Sequence, residues 1–239
     1  MAVTAYKPDS SMGRKGSGGG LRVDIEIRDS GLITQLQDFP KQRDKAISRA
    51  INRTAGWTKT QMKRQATAAL TVNRVGDIAK SLSASRATPS KLQARVKIGG
   101  TRIQLFYFKG KPTKPPTNKR LIGGISYQIR ADGGRQRIEK NAFVVQTKGG
   151  MGFFRRSSQN DGHEKVIAKS GKRAGKFIWS QRKIIRLMGI SVATALEGSP
   201  EFKKLVEVNA GERLALELNR AANFILTGTS KVPGEGTDG

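Results

Sequence analysis

Few residues in this chain have the types and spacing that chemistry needs. His163 is the single histidine, set among acids in Asp161-Gly162-His163-Glu164. A catalytic triad requires a nucleophile held by a base that an acid in turn orients. No second histidine and no placed nucleophile accompany His163, so the string reads as a surface loop. Asp24 and Glu26 share one face of an alternating segment, whereas general acid–base catalysis needs carboxylates opposed across a cleft. They read as the wet side of a strand. Gly171-Lys172-Arg173-Ala174-Gly175-Lys176-Phe177 comes nearest to a phosphate-cradling loop. A P-loop has a longer span between its glycines and a Ser or Thr after its lysine, so this segment reads as a basic turn. A nuclease would cluster acids around a metal. The acids of residues 41–186 (Asp44, Asp77, Asp132, Glu139, Asp161 and Glu164) are scattered. With no cysteine there is no disulfide, no thiolate metal site and no Cys nucleophile. No catalytic residue, metal or cofactor is expected, and the chain reads as a non-enzyme.

What the residues do offer is charge. Lys and Arg number 45 against 18 Asp and Glu, a formal net charge of +27 over 239 residues. Residues 41–97 hold 14 basic and 2 acidic side chains and residues 101–186 hold 21 and 4, which accounts for the whole excess. Such a field calls for an acidic partner: nucleic acid, an acidic protein surface or a membrane face. The expected contacts are Arg155, Arg156, Lys172, Arg173, Lys176, Arg182 and Lys183. The Pro-rich loop at residues 109–120 adds Lys109, Lys111, Lys114, Lys119 and Arg120. In Phe153-Phe154-Arg155-Arg156, aromatics beside arginines can stack bases and grip phosphates. An equally weighted reading buries the phenylalanines and leaves the arginines solvated. No zinc-finger spacing and no aromatic signature of an RNA module appears, so sequence-specific recognition is not supported.

The elements that position these residues follow from periodicity. The first twenty residues read as a flexible basic Gly/Ser arm and residues 227–239 as a flexible tail. Neither a signal-peptide core nor an apolar run of membrane-spanning length is present. Between them, residues 21–226 read as a single α+β domain. Alternation over residues 21–27 predicts a strand. Asp38 and Pro40 open a long amphipathic helix ending near Leu70, with Gly56 as a place for a bend. A short helix is expected over residues 74–83, with Val75, Ile78 and Leu82 on one face. Period-two segments follow at residues 92–98 and 102–109, the pair reading as a hairpin, and then at residues 125–131 and 142–148. The last two are separated by the turn at Asp132-Gly133-Gly134, and Phe153-Phe154 continues the sheet. Residues 177–187 read as a strand and connector, and residues 190–196 as a short helix or buried turn. A final helix over residues 201–226 begins at Ser199-Pro200-Glu201 and carries Leu214, Leu218, Ala221, Ala222 and Ile225 as its apolar stripe.

Several strings, taken in order, resemble the minor tail protein Z family of tailed phages and prophages. They are Asn52-Arg53-Thr54-Ala55 with Lys59, then Ala142-Phe143, then Gly149-Gly150-Met151-Gly152-Phe153-Phe154-Arg155-Arg156. Arg186-Leu187-Met188-Gly189-Ile190-Ser191-Val192 follows, and the C-terminal helix contributes Arg213, Leu214, Leu218 and Arg220. The likeness spans residues 21–226. It departs from the family at Gly189-Ile190-Ser191-Val192-Ala193, which lacks the two prolines expected there. The resemblance implies a structural virion protein that completes the tail and joins it to the head, with tail termination or a neck collar as alternative roles. It implies no catalytic residues, assembly in the host cytoplasm, and residence in the virion tail or neck. Expected partners are other tail and neck proteins, further copies of the chain in a ring, by analogy with tail symmetry a hexamer, and packaged DNA as a nonspecific contact. The alternative of another class is a nonspecific nucleic-acid-binding protein.

Overall fold

The computed structural model describes residues 7–9, 20–27, 40–115, 124–133, 136–138, 142–147, 150–156, 165–167, 177–179, 184–197 and 199–227. They form an α+β fold with a long N-terminal helix, antiparallel sheet in the middle of the chain and a helical C-terminal region. The chain groups into two units, one of Met1–Ala69, Arg74–Arg102 and Ile190–Gly239, the other of Leu70–Asn73 and Ile103–Gly189.

The first unit contains β1 (Lys7–Asp9), β2 (Gly20–Glu26), α1 (Pro40–Ala69), α2 (Val75–Lys80), β3 (Leu82–Ser85) and β4 (Gln93–Ile98). After the chain returns it adds α3 (Val192–Glu197), α4 (Pro200–Lys204), a π-helical stretch (Leu205–Asn209) and α5 (Ala210–Thr227). The sheet order is β1-β2-β4-β3, antiparallel throughout. Register sets Leu21 opposite Ile98, Val23 opposite Val96 and Ile25 opposite Ala94, and all six are buried. A period of two along each strand therefore collects one apolar face, and α1 lies against it. Ile47, Ile51, Ala55, Met62 and Ala66 are the buried residues of α1 that match this face, with the alanines allowing close approach. Each fully buried Ile or Leu contributes about 1.5–3 kcal/mol. α5 also packs against α1, and its Leu214 and Leu218 are buried.

The second unit contains β6 (Ile125–Tyr127), β7 (Gln136–Ile138), β8 (Ala142–Thr147), β9 (Gly150–Arg156), β10 (Lys165–Ile167), β11 (Phe177–Trp179) and β12 (Ile184–Arg186). The chain enters it within β5 (Arg102–Gln104) and leaves it within β13 (Met188–Ser191). β6 pairs with β7, β10 with β11, and β12-β9-β8 form a three-stranded sheet. Phe108, Phe153 and Phe154 are its largest buried side chains, and Ile103, Leu105, Ile125 and Val144 are buried as well.

Most of the expected elements are present, and the differences are local. The helix expected over residues 74–83 stops at Lys80, and Leu82 begins a strand instead, because β4 offers β3 a pairing edge. β4 is flanked by β2 and β3, so it makes no hairpin with β5. The strand expected over residues 102–109 ends at Gln104 and becomes a 3-10 turn at Leu105–Tyr107. β6 is shorter than expected and closes a hairpin with β7 around the Asp132-Gly133 bend. The final helix is not uniform: α4 and α5 are joined by the π-helical stretch. Ser199 caps α4 as expected, accepting from Phe202 N at 3.4 Å and donating to Glu201 Oε2 at 2.8 Å. Lys7–Asp9, within the expected flexible arm, pairs with β2 as an edge strand. Asp38 lies outside the described residues.

Candidate polyanion-binding surfaces

In the second unit the expected contact residues sit on a loop and at a strand end. The loop is held by its backbone: Lys111 N donates to Ser126 O at 2.7 Å and Ser126 N to Lys111 O at 2.9 Å. Gly110 lies so close to Phe153 that a Cβ there would meet Cε2 at 2.3 Å. A glycine is thus required between two lysines by packing alone. Lys109, Lys111 and Lys114 are exposed, and so are Arg155 and Arg156 at the end of β9. The contact of Gly110 with Phe153 brings the loop to the strand that ends in those arginines. Lys119, Arg120, Lys172, Arg173, Lys176, Arg182 and Lys183 lie outside the described residues, as do Asp161, His163 and Glu164.

The phenylalanines of this string are core and do not stack bases. Phe153 is fully buried, with Phe106 edge-on to it at 5.2 Å between ring centroids. Phe154 is buried under Arg186, whose guanidinium carbon stands 5.2 Å from the ring centroid and whose Nη2 donates to Thr147 Oγ1 at 3.0 Å. Gly152 makes room for Phe154, and Gly189 for Phe108, where a Cβ would come within 2.9 and 2.5 Å of the rings. The stacking reading is therefore set aside for these two residues. The two arginines that follow them stay solvated.

In the first unit, the string Asn52-Arg53-Thr54-Ala55 is occupied with structure. Asn52 clamps Ala87 from both sides, donating to its carbonyl at 3.0 Å and accepting from its N–H at 2.8 Å. Thr54 and Ala55 are buried, Thr54 donating to Ala50 O. Arg53 reaches across to Glu217 of α5, Nη1 to Oε2 at 3.3 Å. Glu217 is 2% exposed and is also held by Arg213 Nη2 at 2.5 Å and Arg220 Nη1 at 3.3 Å. Sequence reasoning passed over Glu217. Its signal was legible: an acid set within the apolar stripe of Leu214 and Leu218, with arginines four before it and three after.

On the sheet's solvent face, Asp24 takes Arg22 Nη2 at 2.6 Å and Arg95 Nε, from the register-paired residue of β4, at 2.7 Å. Burial acts to raise the Asp24 carboxyl, but the hydrogen bonds and charges of the two arginines outweigh it and hold the pKa below its usual 3.8. Asp24 is thus committed to structural ion pairs.

The surface that sequence reasoning did not single out is the solvent side of α1. The helix carries eight basic residues and one acid, Asp44, which is bound to Arg43 at 3.0 Å. Lys41, Lys45, Arg49, Arg53, Lys63 and Arg64 are all exposed, and Lys59 is half-buried beside them. At 3.6 residues per turn these seven share a face about 140° wide. The buried residues occupy the opposite side. Only Arg53 of the seven is drawn into an ion pair, that with Glu217.

Among the described residues, no group of three or more His, Asp or Glu side chains is placed to hold a metal ion. No described helix is long and apolar enough to cross a membrane. No family model, curated protein or solved structure matches this chain.

Proposed function

We propose that this chain is a structural protein of a tailed-phage virion, acting in tail completion and head–tail joining. One observation supports the reading above others: the strings that carry the resemblance to the minor tail protein Z family serve as scaffold. Asn52 and Arg53 tie α1 to the Ala87 turn and to α5. Gly152, Phe153, Phe154 and Gly189 pack the second unit. Such a pattern suits a building block whose shape is its product and whose charged surfaces meet neighbours. In this reading copies assemble as a ring, by analogy a hexamer, with the positive surface turned to acidic partners in the tail or neck. Lys109, Lys111, Lys114, Arg155 and Arg156 are then assembly contacts.

The test is deletion of the reading frame from the parent phage, with electron microscopy of the lysate. Filled heads beside free full-length tails, or joined but non-infectious particles, are expected. Overlong tails would move the role to length termination, and normal infectious particles would end the virion reading. Reversing the charges of Arg155, Arg156, Lys111 and Lys114 together is expected to block joining while the purified chain keeps its circular dichroism spectrum.

A further inference from the structure

The solvent face of α1 is an unusual surface for a helix of this length. Lys41, Lys45 and Arg49 follow one another at four-residue steps, about 6 Å apart along the axis. Lys59, Lys63 and Arg64 extend the same face on the helix's later turns. These six make no hydrogen bond or ion pair among the described residues, and no acid stands on the face with them. The thirty residues of α1 extend about 45 Å, the length of about thirteen base pairs of duplex.

We infer that this face binds the phosphate backbone of double-stranded DNA without reading its sequence. Three features decide for DNA over an acidic protein or a single strand. First, Lys41, Lys45 and Arg49 at steps of about 6 Å, with Lys59, Lys63 and Arg64 further along, form a straight row of positive charge that can lie along a duplex carrying one negative charge per about 1.7 Å of its axis. A rod of positive charge thus meets a stiff rod of negative charge with little ordering cost. Second, protein interfaces draw their energy from buried aromatic and apolar anchors. The exposed residues of α1 are Pro40, Lys41, Gln42, Lys45, Arg49, Arg53, Gly56, Thr60, Lys63, Arg64, Thr67 and Ala68, which include no large apolar side chain. The exposed large hydrophobics of the described chain lie on other elements. Third, single strands are gripped on aromatic platforms. Trp57, the sole aromatic of α1, is half-buried. This assignment does not rest on a tail role, since it concerns the purified chain and naked DNA.

The experiment is fluorescence anisotropy with a labelled random-sequence duplex over 50–300 mM NaCl. Wild-type protein is compared with K41Q/K45Q/R49Q/K63Q/R64Q and with K109Q/K111Q/K114Q/R155Q/R156Q, which removes the same charge from the second unit. The plot of log affinity against log salt has a slope near −0.9 per phosphate neutralised. The α1 variant is expected to lose about four units of slope and at least a hundredfold in affinity at 50 mM. The charge-matched variant should lose less than half as much slope. A three-site variant, K45E/R49E/K63E, should lose at least as much affinity, which guards against misfolding of the larger set. Circular dichroism checks that each is folded. Equal losses in the two charge-matched variants would reduce the effect to net charge and overturn the assignment. So would absence of duplex binding by the wild type at 50 mM, or poly-L-glutamate binding as tightly with the same dependence on α1.

Discussion

At the scale of single residues, the unusual feature of this chain is an acid buried among bases. Glu217 is nearly sealed from solvent, and what makes its burial tolerable is the three guanidinium groups around it. Arg53 remains 67% exposed, so its head can return to water if the acid is lost, and Arg213 and Arg220 are each about a third exposed or less. Removing the carboxylate therefore costs less than the 3–5 kcal/mol of a fully buried pair. Glu217→Ala should destabilise by about 2–3 kcal/mol in urea unfolding. Arg53→Ala, which leaves the acid two partners, should cost about 1 kcal/mol or less. The reverse order of these two effects would mean that the cluster is not what seats α5 on α1. Asp24 makes a prediction of a different kind. Its folded pKa is depressed below 3.8, so its stabilisation is fully present above about pH 4 and is lost as the pH falls through the lowered value. Asp24→Asn should lower the melting temperature at pH 7, and the gap to wild type should close as the pH falls below about 4. A gap that stays constant through that window would show that Asp24 contributes through packing instead.

At the scale of elements, the π-helical stretch between α4 and α5 is the point where local pattern and tertiary need part. A π turn accommodates an extra residue within a helix, so the residues beyond it keep the facing they would have in an α-helix one residue shorter. Phe202 before it, Leu205 at its first position, and Leu214, Glu217 and Leu218 after it are all buried. Deleting the exposed Val208 removes that extra residue, so a plain α-helix can hold both flanking sets in their native facing, whereas forcing the full-length stretch into α-helix would rotate one of them by about 100°. We expect the deletion to keep cooperative unfolding with a stability close to that of Val208→Ala, which changes an exposed side chain alone; a loss of cooperative unfolding on deletion would show that the stretch does more than absorb one residue. This also shows what the sequence could reveal. Period-two alternation announced β2 and β4, and 3.6-residue periodicity announced α1 almost to the residue, because each element's pattern faces a single core. The π turn has no such pattern, since its register answers to α1 and not to its own residues. β3 and β7 escaped notice for a related reason: three- and four-residue strands are defined by the partner that pairs with them. The candidate site divides similarly. The loop and β9 cations were visible as charge runs. The α1 face was hidden in plain sight, because Lys and Arg on an amphipathic helix read as the ordinary wet side until burial shows that six of them share one face without a counter-charge.

At the scale of the whole molecule, net charge sets two responses to salt that run in opposite directions. A formal charge of +27 on 239 residues makes the compact state repel itself. Exposed pairs such as Lys80 with Asp77 are worth little, so screening removes more repulsion than attraction. The Debye length falls from about 30 Å at 0.01 M to about 10 Å at 0.1 M, which brings most charges on different faces out of each other's reach. The free protein should therefore melt at a higher temperature in 150 mM than in 10 mM NaCl. A polyanion that neutralises the surface stabilises by mass action, about 2.7 kcal/mol at a hundredfold excess over Kd, and that gain should shrink as salt rises because binding weakens. Melting curves with and without duplex DNA across the salt series should converge upward, the free curve rising toward the bound one. If the free protein instead loses stability with salt, its ion pairs outweigh its self-repulsion, and the surplus cations must already be paired within the fold rather than held open for a partner.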